Sequence, residues 1–532
     1  MHMRAILLLC ALLTSALQAQ TPAEAPTLTI VHTNDTHSQI EPIVNAATGE
    51  AYGGVVERAS LIEYLREQDP EMLYLDCGDQ VQGSPYFNVY KGELEMLCMN
   101  QQQLLAATLG NHEFDNSLEG LRFMQRTAQF PYLSCNYHCE RTPIAQLVQP
   151  HLITQSHGVK IGITGVTCSP EGLIARSHWQ GIEFEDPITA VNREARLLRD
   201  EGCDLVIVLS HLGYEKKSSP GAIYDADLAR ASHDVDIILG GHSHTNIEHG
   251  LTLPNAEGHP VCITQTGGKA NRIGYVNIAM RQGSRYAGCQ YSVDSIVCSK
   301  LTAADYDLTA YGEDIRQLVE PYRESLAAQM ESPVGSATRT MEKGSPQSQL
   351  GNFTADALMD IGYHLTGSRI DIGLMNIGGL RNDFLSGTVS IGQIYEVFPF
   401  DNAIVVLSLY GHDLRDLILN DATGRINAWG GVQLTLDPQR QEGSIVTDIL
   451  VGGQPIDPDR LYNICTLDYL AEGNNGMTAL RRATHTVTTN VFIRDAMIDH
   501  VNRLSARHEP LSAIIDGRVM DTHHHAIQSL QR

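Results

Sequence analysis

Apolar residues in the first half of the chain come in short dense runs with helical patterns between them. The runs TLTIVHT (27–33), MLYLDCG (72–78), AATLG (106–110), KIGITGV (160–166), DLVIVLSH (204–211), VDIILGGH (235–242) and VCITQTG (261–267) are rich in β-formers, and several are almost wholly apolar. Strands covered on both faces read this way. VVERASLIEYLREQ (55–68) repeats apolar residues at helical spacing and stops before Pro70, and ITAVNREARLLRDEG (188–202) ends on a glycine, a helix stop. Strand and helix alternating through residues 27–300 predict a layered α/β domain.

The stretch 303–332 is polar, charged and helical in pattern. It reads as a linker helix over 301–333 or as a peripheral helix of the first domain. From 334 a second pattern starts, with a helix at GNFTADALMDIGYHL (351–365), strands at DIGLMNIG (371–378) and NAIVVLSLY (402–410), a helix at GHDLRDLILND (411–421) and shorter strands to 470. It predicts a second α/β domain over 334–522, and no repeat relates the halves.

The opening MHMRAILLLCALLTSALQAQ has a basic flank at Arg4, a short apolar core and a small residue at Ala19. It reads as a signal peptide over 1–19, which predicts a periplasmic or secreted protein. No later run is long enough to span a membrane. The net charge of −25 argues against a nucleic-acid polymer or an anionic membrane as partner, because both need basic patches. A small phosphate then needs a local positive field. The cysteines show no regular spacing and no pairing is assigned; Cys77 reads as a buried small hydrophobe. His523, His524 and His525 read as a solvated end.

Five of the apolar runs end in metal-capable residues: Asp35 and His37, then Asp79, then Asn111, His112 and Asp115, then His211, and finally His242 and His244. Ligands of open α/β sheets bind beyond the carboxyl ends of the strands, so these tips can meet on one rim. In an extended segment residues two apart share a side, so Asp35 and His37 can face one ion, and His242 and His244 can both face a shared site. Taken singly, each has an ordinary reading as a turn acid, a helix cap or a strand-edge histidine. The combination at five successive strand ends carries the expectation. Nitrogen and oxygen donors without cysteine suit Zn, Mn or Fe better than Ca.

The segments NDTH, GDQVQGS, GNHEFD, SH and GHSH, in this order and spacing, resemble the calcineurin-like metallophosphoesterases. LGNFTADAL (350–358), NIGGLR (376–381), FPFDN (398–402) and DYLAEGNNGM (468–477) resemble the C-terminal domain of the secreted 5′-nucleotidases and UDP-sugar hydrolases. The resemblance implies a layered α/β/β/α phosphoesterase domain followed by an α/β nucleotide-binding domain. It implies two divalent metal ions bridged by Asp79, with Asp35, His37 and His244 completing one site and Asn111, His211 and His242 the other. His112 would face the phosphate and Asp115 would fix its ring. The implied reaction is release of phosphate from nucleoside 5′-monophosphates by in-line attack of water activated by the ions.

In the second domain the resemblance places Phe400 and Tyr469 on the base and Asn376 and Arg381 on the substrate; Phe398 reads as core. Two positions depart from the pattern. Gly344 stands where an arginine is usual, and Asn475 where an acidic residue is usual. Nucleotide sugars and 2′,3′-cyclic nucleotides therefore stay open as substrates, and a non-catalytic nucleotide- or metal-binding protein is the alternative of another class.

Overall fold

A computed structural model describes residues 25–522 apart from 45–50, 172, 175–177, 215–221, 270, 401, 425, 438 and 441–444. The signal reading over 1–19 and the histidines at 523–525 lie outside the described residues. The chain falls into two units, Met1–Val81 with Glu95–Ile315, and Gln82–Leu94 with Arg316–Arg532. The crossing from 315 to 316 falls inside the helix Glu313–Met330, in the stretch read as a linker.

The first unit is built on two sheets. The seven-stranded one runs in the order Tyr291–Leu301, Ile273–Gln282, Thr27–Thr33, Leu73–Asp76, Ala106–Thr108, Tyr132–Leu133, Val148–Gln149. The six-stranded one runs Leu251–Pro254, Pro260–Thr264, Ile237–Leu239, Leu205–His211, Val159–Thr167, His151–Ser156. Side-chain alternation along one strand shows how the layers form. Leu205, Ile207 and Leu209 join a core with Leu28, Ile30, Leu73 and Leu75 of the other sheet. Val206 and Val208 join a second core with Ala190, Val191, Ala195 and Leu198 of the helix Pro187–Asp200. Both faces are covered, which is why the run is apolar throughout.

Parallel pairing gives each sheet a common carboxyl edge. Thr27–Thr33, Leu73–Asp76 and Ala106–Thr108 pair in parallel, as do Val159–Thr167, Leu205–His211, Ile237–Leu239 and Pro260–Thr264. The run AATLG yields a strand of only three residues, because Gly110 leaves the ladder to approach the loop at Asp79, where its N–H donates to Glu113 at 2.5 Å.

The second unit centres on a five-stranded mixed sheet, in the order Ala428–Gly430, Ile372–Met375, Leu461–Leu467, Ala403–Tyr410, His485–Phe492. Ile404 and Val406 join Leu358, Ile361, Met497 and Val501 of the helices Gln349–Thr366 and Ile493–Ala506. Val405, Leu407 and Leu409 join Leu414, Leu417 and Ile418 of the helix Gly411–Asp421, together with Trp429. Among the described residues no helix is long and apolar enough to cross a membrane.

Candidate metal centre

The seven residues expected from sequence as ligands come together. Asp35, His37 and His244 form one group whose ligand atoms lie within 4.8 Å of one another; Asp79, His211 and His242 form a second, and His37, Asp79 and His112 a third. The Nε2 atoms of His37 and His244 are 2.9 Å apart, and Oδ1 of Asp35 is 3.3 Å from Nε2 of His244. Oδ2 of Asp79 is 3.1 Å from Nε2 of His211. Oδ1 of Asn111 is 3.0 Å from Nδ1 of His242. Asp79 belongs to two of the three groups and His37 to two, so the clusters overlap.

The backbone reaches this arrangement differently from the extended alternation expected. Asp35 and His37 lie at φ 50° and 47°, Asp79 at 55°, and His242 and His244 at 71° and 49°. Left-handed backbone is uncommon outside glycine and costs about 1–3 kcal/mol per residue. Neighbouring hydrogen bonds hold it in place. N–H groups of Asp35, His37 and Ser38 donate to the carbonyls of Gly78, Asp79 and Gln80 at 2.9, 3.0 and 2.9 Å, joining two ligand loops rung by rung.

Glycines allow the remaining loops to close in. A Cβ at Gly110 would lie 2.1 Å from Oδ1 of Asp79, and one at Gly241 would lie 2.7 Å from the Cys77 carbonyl and 2.9 Å from Nδ1 of His211. The two act through close approach, since neither has positive φ.

Several positioning side chains carry no ligand signature in the sequence. Buried Glu113 accepts from the N–H groups of Asp79, Gln80 and Gly110 at 3.0, 2.8 and 2.5 Å. Asn34 donates to Oδ2 of Asp35 and to the Gly267 carbonyl, both at 2.6 Å, and accepts from Thr266. Gln265 accepts from Ser243 and Thr245 and donates to the Gly241 carbonyl. The N–H of His242 donates to Asp35 and that of His112 to Asp79, while Nδ1 of His211 bonds the Cys77 carbonyl at 2.7 Å. Replacing Glu113 by Ala strips three buried donors of their acceptor. It should lower stability by about 2–4 kcal/mol, read as a shift in the urea unfolding midpoint.

Electrostatics at the cluster suit cations. Burial opposes the charge on Asp79, but His211 and His112 hold its carboxyl well below the ordinary range. Burial likewise opposes the charge on His211, and Asp79 overcomes it, lifting the imidazole to about 10. Asp115 and Asp79 lift His112 to about 10 against its burial. His242, buried and facing His211, is pushed down to about 4. Buried Asp79 thus depends on positive charge brought by imidazoles. His37 Nδ1 is buried without a hydrogen bond, and the neighbour of buried His211 Nε2 is the Asp79 carboxylate at 3.1 Å. Unsatisfied nitrogen, buried carboxylate and an amide oxygen together form a donor set that fits borderline divalent ions.

Nδ1 of His112 bonds Oδ2 of Asp115 at 2.8 Å, which fixes the ring and leaves Nε2 unengaged by this pair. In the second unit the Arg381 guanidinium lies over the Phe400 ring, 4.9 Å from its centroid. Asn376 is buried with Oδ1 unpartnered. The hydroxyl of Tyr469 donates to Oδ1 of Asn475 at 3.3 Å. Phe400 and Tyr469 are 36% and 39% exposed, unlike the core residue Phe398 at 1%, so neither ring is core. No ring contact joins them among the described residues.

A family model for the calcineurin-like phosphoesterases matches residues 28–246, and one for the 5′-nucleotidase C-terminal domain matches residues 327–482. The chain is 29% identical over 502 residues to a 5′-nucleotidase of Diplobatis ommata, covering 85% of this chain and 83% of that protein. It is 29% identical over 501 residues to an apyrase of Tabanus yao, covering 85% and 87%. The crystal structure of a 5′-nucleotidase precursor from Thermus thermophilus matches with a TM-score of 0.65 and 27% identity, covering 93% of this chain and 99% of that one. Fold and site therefore define a metal-dependent phosphoric ester hydrolase of the calcineurin-like class. Its second domain makes the likeness narrower: a calcineurin-like domain precedes a 5′-nucleotidase C-terminal domain, and the similar proteins include 5′-nucleotidases.

Proposed function

We propose that the protein releases phosphate from nucleoside 5′-monophosphates at a centre of two divalent ions, Zn, Mn or Fe. The observation that carries this reading is that two of the three ligand groups share Asp79, while the third joins them through His37. Asp35, His37 and His244 would hold one ion and Asn111, His211 and His242 the other, with Asp79 between them. Such a pair supplies a nucleophile at neutral pH and neutralises phosphoryl oxygens.

The residues around the pair explain how an acidic protein binds a phosphate. Only Asp35 and Asp79 bring negative charge; the other ligands are neutral when coordinated, so the loaded centre is net positive. His112, its Nδ1 tied to Asp115, presents Nε2 to the phosphoryl or leaving oxygen. Asp115 keeps the proton on Nδ1 and holds the ring plane.

In the second unit Phe400 and Tyr469 would take the base by stacking, with Asn376 and Arg381 contacting the substrate. Base–aromatic stacking contributes about 1–3 kcal/mol per ring. Phe400→Ala and Tyr469→Ala should therefore each raise KM for AMP by roughly tenfold while leaving kcat within about twofold, measured by initial rates of phosphate release.

Lys343, the basic residue beside Gly344, donates to the carbonyls of Leu380 and Arg381, so it is engaged with backbone rather than replacing the usual arginine. That difference, with Asn475, keeps UDP-sugars and 2′,3′-cyclic nucleotides as the second substrate reading. Export, with residues 1–19 removed, belongs to the same proposal, and a mature amino terminus at Gln20 is its test.

The deciding experiment is phosphate release from AMP, UMP, UDP-glucose and 2′,3′-cyclic AMP by chelated protein refilled with Zn²⁺, Mn²⁺ or Co²⁺. Turnover of the monophosphates, absent before refilling, is expected. Turnover confined to the sugar or cyclic substrates favours the second reading, and no turnover with any of the three metals defeats the proposal.

A further inference from the structure

The core between the two sheets of the first unit contains one place where sulfur meets sulfur. Cys262 lies on the strand Pro260–Thr264 and Cys298 on Tyr291–Leu301, which belong to different sheets. Their Sγ atoms are 3.6 Å apart, and the residues are 6% and 3% exposed. The chain closes over them at Gly250, where a Cβ would lie 2.9 Å from Sγ of Cys298 and 3.3 Å from Sγ of Cys262. All ten described cysteines are thiols in this structure, and this is the pair whose sulfurs touch.

The surroundings distinguish the two thiols. Two residues beyond each cysteine, and so on the same side of its strand, stand Thr264 and Lys300, whose Nζ donates to the threonine Oγ1 at 2.7 Å. A hydrogen bond from the Cys262 thiol draws Cys298 below the ordinary thiol range; burial opposes this, and Lys300 and Thr264 add to it.

We propose that Cys262 and Cys298 become joined by a disulfide when the chain folds in an oxidising compartment, stapling the two sheets of the phosphoesterase domain. The oxidant is an external disulfide, small or carried by a protein. The thiolate of either cysteine attacks one of its sulfurs, forms a mixed disulfide and expels one thiolate. The other cysteine then loses its proton, and its sulfur attacks the protein sulfur of the mixed disulfide, expelling the second thiolate. One protein S–S bond has formed, and the oxidant is left as two thiols once protonated. The exchange belongs to folding, since both sulfurs are buried in the finished core. Closure needs an approach of about 1.5 Å, to an S–S length near 2.05 Å. Sequence spacing could not show this pair, because the two cysteines stand 36 positions apart and the contact crosses between sheets.

The test uses the full chain directed to the bacterial periplasm by an added export signal, so that it does not depend on the chain's own first residues. The protein is alkylated while unfolded, without reduction, digested and mapped by mass spectrometry. The peptides containing Cys262 and Cys298 should appear linked, lighter by two hydrogens than the two thiol peptides together, and should separate on reduction. In Cys298→Ala the Cys262 peptide should instead take up the alkylating label. Recovery of both wild-type peptides fully alkylated before reduction, or of either linked to another cysteine, overturns the proposal.

Discussion

Asp79→Ala should abolish phosphate release, lowering kcat/KM by roughly four orders of magnitude or more. The size follows from what the residue holds together. Metal-assisted stabilisation of a phosphoryl transition state amounts to several kcal/mol, and about 1.4 kcal/mol corresponds to a tenfold change in rate. Asp79 is the carboxylate common to two ligand groups, so its removal disturbs both proposed ion sites at once. Oδ1 also accepts from the N–H of His112 at 2.9 Å, so the loop carrying His112 loses an anchor. Alanine at this left-handed position adds strain of about 1–2 kcal/mol. Asp79→Asn, which keeps the shape and removes the charge, separates the two effects. Both variants should retain the circular dichroism of the parent and bind less metal by mass spectrometry of the eluted ions. Retention of even a tenth of parental activity by Asp79→Ala would rule out a bridging role.

His112→Ala should have the next largest effect, a fall in kcat of about 10²–10⁴-fold with metal content unchanged. The ring stands beside the cluster, its centroid 5.3 Å from that of His37, and is half-buried, so its loss leaves the ligands in place. Asp115→Asn should cost less, about tenfold in kcat, because the imidazole remains and only its orientation and tautomer lose their fixed partner. Steady-state kinetics on AMP, paired with metal analysis, distinguishes this from a structural role. A drop in bound metal that parallels the drop in kcat, or an unchanged kcat, would remove His112 from the chemistry.

The candidate metal centre was legible because each expected ligand sits at the end of an apolar run, where strand and loop chemistry change abruptly. The layering was legible for a related reason. Runs such as 204–211 are apolar at nearly every position, and two-sided burial of Leu205, Val206, Ile207, Val208 and Leu209 leaves no other reading.

What stayed hidden acts through backbone. Glu113 and Asn34 lie inside the very motifs that marked the ligands, yet their partners are largely N–H and carbonyl groups that no spacing reveals. The left-handed φ of Asp35, His37, Asp79, His242 and His244 was equally invisible, because these are ordinary residues forced into that region by hydrogen bonds from distant loops. In the second unit, spacing alone does not tell whether Phe400 and Tyr469 are core or surface. Their exposure resolves that point, while Phe398 is buried as read.

Anomalous scattering from crystals grown with Zn²⁺ or Mn²⁺ tests the bridged pair directly. Two peaks about 3.5–4 Å apart are expected, one bonded to Asp35, His37 and His244, the other to Asn111, His211 and His242, with Asp79 touching both. One peak alone at this cluster, or ions bound only elsewhere, would contradict it.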